Sequence, residues 1–380
     1  MEITETDIER MRESLGGIQD PRRCQWGNIR HKLVDMLVIG LSAVIIGEDE
    51  FEAMEDWGRE REEWFRGFLE LPNGVPDADT FRRLFERIDP KELLDSLNNW
   101  LITVKKEGGR EINIDGKTLC GSGRQGKKAL HVVSAWVGEQ DLVLGQLATE
   151  EKSNEITAIP QVLDLIDIKG DVVTIDAMGC QRAIAEKIRE KKADYVLSVK
   201  ENQRALYENI QDYFEYLESK EGRREICDTW NGELEKEHGR IERRSVTVVT
   251  AVDFLEEGKV WKDLAAIIRY RSNRTVGEQT TVTDRYYISS MKTSAETFSG
   301  LIRGHWSIEN RLHWSLDVTF GEDASQVKKG NAPLNLNILR KIALSRLRAT
   351  AVTVKRFSTK RKIFKARINP DFHLSVLFGE

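Results

Sequence analysis

Apolar and polar positions divide the chain into a helical first part and a β-rich centre. Within residues 1–105 apolar side chains recur at helical spacing, and residues 33–46 are apolar nearly all round, as in a buried helix. Proline, glycine and turn-forming residues interrupt the pattern at 71–80, where Asp79 or Thr80 is suited to cap the helix that follows. The pattern predicts a small module of helices, and none of its residues suggests catalysis.

From Gly108 onward the pattern changes to short β-type runs separated by turns and helical stretches. The order β-β-β-α-β-α-β predicts an α/β fold with a mixed sheet and helices on its faces. Residues from about 203 to 292 are charged and β-leaning, which indicates a β-rich insertion, and a helix is predicted from about 295 to 316. Before that insertion, strands are predicted at 111–117, 130–138, 142–149, 171–177 and 195–200, and helices at 155–166 and 180–192.

The overall charge disfavours a nucleic-acid partner, but the distribution of charge does not. The 380 residues contain 58 Lys and Arg against 63 Asp and Glu, a formal net charge of −5, and 40% are hydrophobic. This length and composition predict a soluble protein of two or three domains and exclude wholesale disorder. Residues 1–110 carry 16 basic and 24 acidic side chains, whereas residues 324–370 carry 13 basic and no acidic ones. A block such as 355–367 can contact several phosphates, and the alternative is a solvated basic tail.

Three further patterns exclude other classes of protein. The longest apolar run, residues 33–47, has 15 residues including Asp35, which is too short for a membrane span. The first residues are acidic and polar, unlike a signal or transit peptide. The four cysteines are far apart and form no C-x-x-C pair, which argues against a disulfide framework or a zinc site and predicts a cytoplasmic protein.

Two aspartates occupy equivalent places at the ends of predicted strands. Asp115 ends the apolar part of one strand (INID-G), and Asp176 ends that of another (VTID-A). Acidic side chains at the carboxyl ends of neighbouring strands face the crevice in which open α/β sheets bind ligands. Facing carboxylates repel unless a cation lies between them, and oxygen ligands without Cys or His favour Mg²⁺ or Mn²⁺. The alternative is that each aspartate only starts a turn.

The stretch 303–323, RGHWSIENRLHWSLDVTFGED, is dense in functional side chains. His305, Glu309 and His313 are spaced four residues apart, so a regular helix would place them on one face. The spacing H-x-x-x-E-x-x-x-H lacks the adjacent H-E of helical zinc proteases. A third carboxylate at Glu309, brought to the two strand aspartates, would make a two-metal site for phosphoryl transfer. The alternative is a surface helix whose histidines have hydrogen-bond partners.

A glycine-rich segment imitates a cofactor-binding fingerprint. Gly121, Gly123 and Gly126 match G-x-G-x-x-G after a strand, but the next residues continue as a strand and not as the helix that a dinucleotide site requires. This context argues against an α/β metabolic enzyme that uses the loop for a cofactor. A flexible basic hairpin loop that can lie along a phosphate backbone is predicted instead. Its basic residues are Arg124, Lys127 and Lys128.

Three motifs together resemble those of a known family. IDGK, VTIDAMGCQ and HWSIENRLHWSLDVTFGED, in this order, closely resemble bacterial insertion-sequence transposases of the DDE type. The resemblance is nearest to the ISAs-type branch that includes the H-repeat-associated proteins, and it covers nearly the whole chain. It extends to the N-terminal helices, where DPR at 20–22 and the stretch GVPDADTFRRLFERIDP resemble that family's transposase-associated domain.

The resemblance implies a fold, a chemistry and a set of partners. The fold is an RNase H-like catalytic core with a β-rich insertion before the helix that bears the final glutamate. Carried over position by position, Asp115, Asp176 and Glu309 would be the catalytic and metal-binding triad. The implied reaction is DNA strand cleavage and strand transfer with two Mg²⁺ or Mn²⁺ ions. The implied partner is double-stranded DNA, both the terminal inverted repeats of the element and the target.

The resemblance also implies an organisation of the chain. A helical transposase-associated domain is expected at 1–107, an RNase H-like DDE domain at 108–325 with the insertion at about 203–292, and a basic C-terminal helical tail at 326–380. Assembly on two element ends implies a homodimer, and a bacterial, cytoplasmic and nucleoid-associated location is expected. Two other functions stay open: a domesticated or inactive DNA-binding relic, and an RNase H-like metal-dependent nuclease.

Basic side chains near the triad and in the tail are the candidates for DNA contact. Related transposases carry a Tyr-Arg-Glu-Lys signature around the final glutamate, but Ile302, His305 and Leu316 occupy its other three positions here. Arg303 and Arg311, with His305, are candidates to replace it in part. The full set of candidates for DNA contact is Lys117, Arg124, Lys127, Lys128, Arg303, His305, Arg311, Lys328, Lys329, Lys355, Arg356, Lys360, Arg361 and Lys362.

Overall fold

The first part of the chain is helical, as predicted. The structure is a computed structural model, and it describes residues 3–22, 29–101, 109–123, 128–149, 154–219, 227–237, 239–351 and 357–379. The N-terminal helices are α1 (Glu5–Gly16), α2 (Leu33–Ile45), α3 (Phe51–Glu60), α4 (Glu62–Phe65), α5 (Ala78–Phe85) and α6 (Pro90–Leu101). Helix α2 is apolar on all sides and is buried from Asp35 onward. No helix in the described ranges combines the length and the apolar composition that a membrane crossing needs.

The beginning of α5 corrects one expectation. Its N-cap is Asp77, and neither Asp79 nor Thr80 has that role. The Asp77 backbone is extended, and its Oδ1 accepts a hydrogen bond from the Thr80 backbone N–H at 2.7 Å. An N-cap side chain satisfies the amide three residues later, so the helix begins before Asp79.

The central strands and helices follow the predicted order. Strand β1 pairs antiparallel with β2 and parallel with β4, and β4 pairs parallel with β5. The order of these five strands is β3-β2-β1-β4-β5, and only β2 runs in the opposite direction to the other four. This arrangement confirms the predicted RNase H-like mixed sheet flanked by helices. The elements are β1 (Glu111–Thr118), β2 (His131–Val137), β3 (Leu142–Thr149), α7 (Glu155–Leu165), β4 (Val172–Ile175), α8 (Arg182–Glu190) and β5 (Asp194–Val199).

The β-rich insertion extends the same sheet. Strand β10 pairs antiparallel with β5, and β9, β8 and β6 follow, so the described residues form one ten-stranded sheet in which β7 pairs with β8 off the main path. The edge of the central sheet is thereby covered by paired strands. These elements are α9 (Arg204–Glu218), β6 (Asp228–Asn231), β7 (Glu235–Glu237), β8 (Arg240–Val249), β9 (Ala266–Val276) and β10 (Gln279–Ser289).

The helix predicted at 295–316 is interrupted near its middle. Helix α10 leads directly into a π-helical segment at Ile308–His313 and then into α11. Three helices then follow in the basic C-terminal part. The five helices of this part of the chain are α10 (Ala295–Ser307), α11 (Trp314–Phe320), α12 (Ala332–Ala349), α13 (Thr359–Ile368) and α14 (Pro370–Phe378).

The N-terminal and C-terminal helices share one hydrophobic core. This cluster contains buried side chains of α1 to α6 together with those of α11, α12 and α14, such as Met36, Phe85, Leu336 and Val376. A second cluster lies between one face of the central sheet and α7 to α9, and a third joins α10 to the strands of the insertion. The C-terminal segment is therefore helical, as predicted, and α12 lies within the fold. The boundaries of the three predicted domains stay predictions.

Several basic side chains of the C-terminal segment are directed inward. Arg340, Lys341 and Arg346 on α12 are buried. Lys341 Nζ donates to Ser134 Oγ at 2.8 Å and to Gln146 Oε1 at 2.6 Å, and burial lowers its pKa to about 7. Part of the basic charge counted in residues 324–370 therefore joins α12 to other elements of the fold and does not face solvent.

The shared core predicts that damage in α12 destabilises the N-terminal helices. Leu336→Ala removes a fully buried side chain and is expected to lower the free energy of unfolding by about 3 kcal/mol. Urea denaturation and hydrogen exchange of the α2 amides should both report the loss. The control is Ile368→Ala on α13, where the side chain is 60% exposed and the expected change is under about 0.5 kcal/mol. Unchanged protection of α2 in Leu336→Ala would contradict a shared core.

Candidate active site

Strand β1 carries polar side chains on one face and apolar side chains on the other. Ile112 and Ile114 are buried in the cluster that contains α7 and α8. Because side chains alternate along a strand, the residues between and beside them face the opposite side, where α10 and the π segment pack. The residues of this polar row are Glu111, Asn113, Asp115 and Lys117.

The register of two parallel strands brings the predicted aspartates together. Ile114 of β1 is paired with Ile175 of β4, so Asp115 and Asp176 each follow one member of that pair. Asp176 Oδ1 accepts hydrogen bonds from the backbone N–H groups of Met178 at 3.0 Å and Gly179 at 3.3 Å. These bonds are the turn contacts expected after a strand, and they also fix the orientation of the Asp176 carboxylate.

Crowded negative charge surrounds Asp115. Burial raises the pKa of Asp115, the Gly116 backbone N–H lowers it, and the negative charges of Asp176, Glu155 and Glu309 add to the increase, which together bring it to about 7. Asp176 and Glu309 therefore each lie within electrostatic range of Asp115. Glu155 is an additional acidic neighbour of Asp115.

Glu309 is carried by the π-helical segment. This segment, Ile308–His313, contains one wide turn that shifts the helix phase between α10 and α11. Ile308 and Leu312 are buried while the Glu309 side chain is exposed on the side of the crevice. A regular 3.6-residue spacing does not reveal such a turn, so the sequence predicted only a continuous helix.

The two histidines of the helix contact the strands instead of solvent. His305 Nδ1 lies 2.9 Å from Thr174 Oγ1, whose hydroxyl donates to Asn113 Oδ1 at 2.6 Å. His313 Nδ1 lies 3.6 Å from Asp115 Oδ2. Burial lowers the pKa of His305 to about 4 and that of His313 to about 3. Both rings are therefore neutral at pH 7 and bring no positive charge to the crevice.

Two further residues of the site were not predicted from the sequence. Glu155, at the start of α7, and His131, at the start of β2, are both buried, and Glu155 Oε2 lies 3.6 Å from His131 Nε2. A Cβ atom at Gly116 would come within 2.3 Å of each side chain, so only glycine fits beside Asp115. Neither residue belongs to a local motif, and only the tertiary packing reveals them.

A second close approach lets α10 lie directly on the polar row. A Cβ atom at Gly304 would meet the Glu111 carboxylate at 2.0 Å, so any other residue at this position would displace that carboxylate. Burial raises the pKa of Glu111 to about 7. The helix that carries Glu309 is therefore held against the strand that carries Asp115.

Lys117, the last member of the row, lies in a cluster of acids. Its ammonium pairs with Asp317, with Glu322 at 3.1 Å and with Asp323 at 3.5 Å. Burial disfavours the charged form of Lys117, but Glu322 and Asp317 outweigh it and raise the pKa of Lys117. The side chain predicted to contact DNA is thus already bound within the protein.

The other candidates for DNA contact differ in what they touch. Arg303 pairs with Glu235 at 2.7 Å, Arg311 with Asp141 at 2.8 Å and Lys329 with Glu86 at 2.8 Å. Lys362 Nζ donates to three carbonyl oxygens at the end of α12, and Arg361 lies over the Phe357 ring. The exposed candidates include Lys128, Lys328 and Lys360, and those outside the described residues are Arg124, Lys127, Lys355 and Arg356.

The carboxylates do not form a ready-made metal cage. Among the described residues, no group of three His, Cys, Asp or Glu side chains is close enough to hold an ion in the present arrangement. The oxygen donors at the crevice are those that Mg²⁺ and Mn²⁺ prefer, and their mutual repulsion would be relieved by a cation. The donor chemistry therefore suits a divalent ion, although the ligands are spread out.

Two family models match the chain one after the other. Residues 12–101 match the family model described as "DDE_Tnp_1-associated", and residues 102–346 match the model "Transposase DDE domain". The chain belongs to the DDE transposase family. The resemblance noted in the sequence is thereby confirmed, and both family segments follow one another without a gap.

Two relatives from Escherichia coli match most of the chain. "Putative transposase YncI" of the O157:H7 strain is 40% identical over 352 residues, which cover 90% of this chain and 88% of the relative. "H repeat-associated putative transposase YhhI" of strain K12 is 37% identical over 98% of this chain and 99% of the relative. A solved structure of the piggyBac transposase synaptic complex with hairpin DNA aligns with a TM-score of 0.43 at 10% identity, covering 98% of this chain and 78% of that one.

The crowding at Asp115 predicts how the metal-free protein responds to pH. The folded carboxyl keeps its proton up to about pH 7, whereas the unfolded one loses it near 3.8, so stability falls as the pH rises through this window. Asp115→Asn removes the cost of ionising this buried carboxyl at high pH. The variant should therefore raise the free energy of unfolding by about 1–3 kcal/mol more at pH 8 than at pH 5. Urea denaturation in EDTA measures this difference. The exposed Asp79→Asn variant is the control, and equal gains at both pH values for Asp115→Asn would contradict the prediction.

Proposed function

We propose that this protein is an active DNA transposase, which cleaves insertion-sequence ends and joins them to target DNA by phosphoryl transfer with two Mg²⁺ or Mn²⁺ ions. The observation that carries the proposal is that Asp176, at a neighbouring strand end, and Glu309, on the π segment, both lie within electrostatic range of Asp115. Membership of the DDE transposase family supports the same assignment. The triad would hold the ions.

Each residue of the proposed triad has a separable task. When bound, the two ions would activate the attacking hydroxyl and stabilise the leaving oxygen at phosphorus. Asp176 is oriented by two backbone N–H groups, and Asp115 is held on a strand interior to the sheet, so these ligands are rigid. Glu309 is exposed on the π segment and lies where DNA would approach. The neutral His305 and His313 orient the strands and the helix without adding charge.

A basic groove beside Glu309 supports the choice of DNA as substrate. It has a volume of about 1130 Å³ and lies between α10 and the strands of the insertion. Arg274 in the groove has no acidic partner within the described residues, and Arg285 lies over the Trp306 ring at 4.0 Å. The arginines that line the groove are Arg240, Arg244, Arg274, Arg285 and Arg303. We propose that a DNA strand follows this groove to the triad, with the exposed basic residues predicted from the sequence holding flanking duplex.

The proposal includes the assembly and the location of the protein. Cutting two ends of one element requires two active sites, so a homodimer on paired terminal inverted repeats is proposed. The partner is double-stranded DNA of the element and of the target, and the site of action is the bacterial cytoplasm at the nucleoid. The Escherichia coli relatives support a bacterial setting.

Removing one carboxylate of the triad tests the proposed chemistry. Asp176→Asn and Glu309→Gln should each reduce nicking of an element-end oligonucleotide by at least ~10³-fold in Mg²⁺, because a charged ligand is lost. DNA affinity at fixed salt should stay unchanged, as measured by fluorescence anisotropy. Glu296→Gln, an exposed glutamate at the start of α10, is the matched control. Cleavage at the wild-type rate in either triad variant would refute the triad, and cleavage without any strand joining would favour a nuclease.

Neutralising the groove tests the proposed DNA path. Arg274→Gln and Arg285→Gln should each weaken DNA binding and reduce the slope of log affinity against log salt by about 1, as expected for the loss of one phosphate contact. Arg204→Gln, which removes an exposed arginine of α9 paired with Glu208, serves as the control. Salt slopes equal to those of the wild type in both groove variants would place the DNA elsewhere.

A further inference from the structure

A chain of charged side chains leads from the N-terminal helices to the strand that bears Asp115. Lys117 lies two residues after Asp115 on the same face of β1, and its side chain is only 11% exposed. Its ammonium contacts Asp317 at the start of α11, and Glu322 and Asp323 just after that helix. One lysine therefore ties the end of β1 to α11.

The next link of the chain is buried more deeply. Glu322 is 1% exposed, and its Oε1 accepts hydrogen bonds from Asn337 Nδ2 at 2.8 Å and Arg340 Nη1 at 3.3 Å, while Oε2 faces Lys117. Arg340 is 2% exposed, and its Nε donates to Asp49 Oδ2 at 2.6 Å. Asp49 lies in the connection between α2 and α3. The path Lys117, Glu322, Arg340, Asp49 thus crosses from the sheet to the N-terminal helices.

Such an arrangement is poorly explained by stability alone. Burying ions costs several kcal/mol each, and well-packed apolar side chains in their place are often equally or more stabilising. Directional ion pairs do fix geometry, because each oxygen and nitrogen must stay within bonding distance of its partner. The ion pairs of Lys117 fix β1 relative to α11, which directly follows the π segment. His313 of that segment has its Nδ1 3.6 Å from Asp115 Oδ2, and Glu309 lies one helix turn before His313.

We propose that Lys117 is a positioning residue for the reaction. Held by Asp317, Glu322 and Asp323, it keeps the carboxyl end of β1 at a fixed distance from the π segment and α11, so that Asp115 and Glu309 stay in register. The Arg340–Asp49 pair connects this clamp to the N-terminal helices. The inference rests on the proposed function, and it gives Lys117 a different role from the DNA contact expected from the sequence.

The experiment compares three variants in the full-length protein. Lys117→Met removes the ammonium but keeps most of the side-chain volume, Lys117→Arg keeps the charge, and Asp317→Asn weakens the clamp at a partly exposed partner. Lys91→Met is the matched control, because Lys91 forms an exposed pair with Asp95 far from the site. The readouts are the single-turnover nicking rate at saturating DNA and Mg²⁺, the DNA Kd as a function of salt, and the melting temperature.

Positioning and phosphate contact predict different results. A positioning role predicts that Lys117→Met nicks ~100-fold more slowly with unchanged Kd and salt slope, since a misplacement of about 1 Å costs that much. Lys117→Arg should recover most of the rate, and Asp317→Asn should lie between. A wild-type rate in Lys117→Met, equal losses in the Met and Arg variants, or a salt slope reduced by about 1 would overturn the proposal.

Two further measurements keep the test decisive. If Lys117→Met does not fold, Asp317→Asn carries the test, and a wild-type rate in that variant overturns the proposal. If the wild-type protein nicks no DNA in Mg²⁺ or Mn²⁺, the proposed function fails, and Mn²⁺ binding by electron paramagnetic resonance then tests the clamp separately. Weaker Mn²⁺ binding in Lys117→Met than in Lys91→Met supports positioning, and equal binding overturns it.

Discussion

The repulsion between carboxylates at the ends of β1 and β4 is the constraint to which the surrounding structure responds. The parallel register of the two strands puts Asp115 beside Asp176, and burial together with Glu155 and Glu309 makes ionisation of Asp115 unfavourable. Such a group of charges would drive the elements apart unless they were fixed by other contacts. The packing around the site must therefore offset the repulsion between its carboxylates. This accounts for the dense contacts on the polar face of β1.

Close backbone approaches supply much of that resistance. Gly304 lets α10 lie on the Glu111 carboxylate, and Gly116 leaves room for the buried pair of His131 and Glu155. A side chain at Gly304 would displace the Glu111 carboxylate, and one at Gly116 would displace the pair of His131 and Glu155. The hydrogen bonds from His305 through Thr174 to Asn113 then join α10, β4 and β1 in one network. Small residues and neutral polar groups thus hold the charged ones.

The sequence predicted the order of the elements and the three acids, because both depend on local pattern. Alternation along a strand and a strand-end aspartate are visible within ten residues, whereas Glu155 and His131 meet Asp115 only through tertiary packing. The π turn at Glu309 has no signature in residue spacing, and the cap of α5 was misplaced by two residues because several turn formers compete there. The acidic partners of Lys117 were not predicted for a similar reason, since a basic residue near an active site gives no sign of the side chains that it contacts.

Counting charge along the chain does not show which basic side chains face solvent. Arg340, Lys341 and Arg346 of the basic C-terminal segment are buried, where they bind carbonyl, hydroxyl and carboxylate oxygens of other elements. The arginines that line the basic groove beside Glu309 lie mainly on strands of the insertion. The same region contains many acidic residues, so a sum of charges along the chain does not reveal the groove. On the proposed function, a DNA strand is held by these arginines before its phosphates meet the carboxylates. The repulsion at the triad would then be overcome only after the strand and the cations are both in place, which separates binding from chemistry.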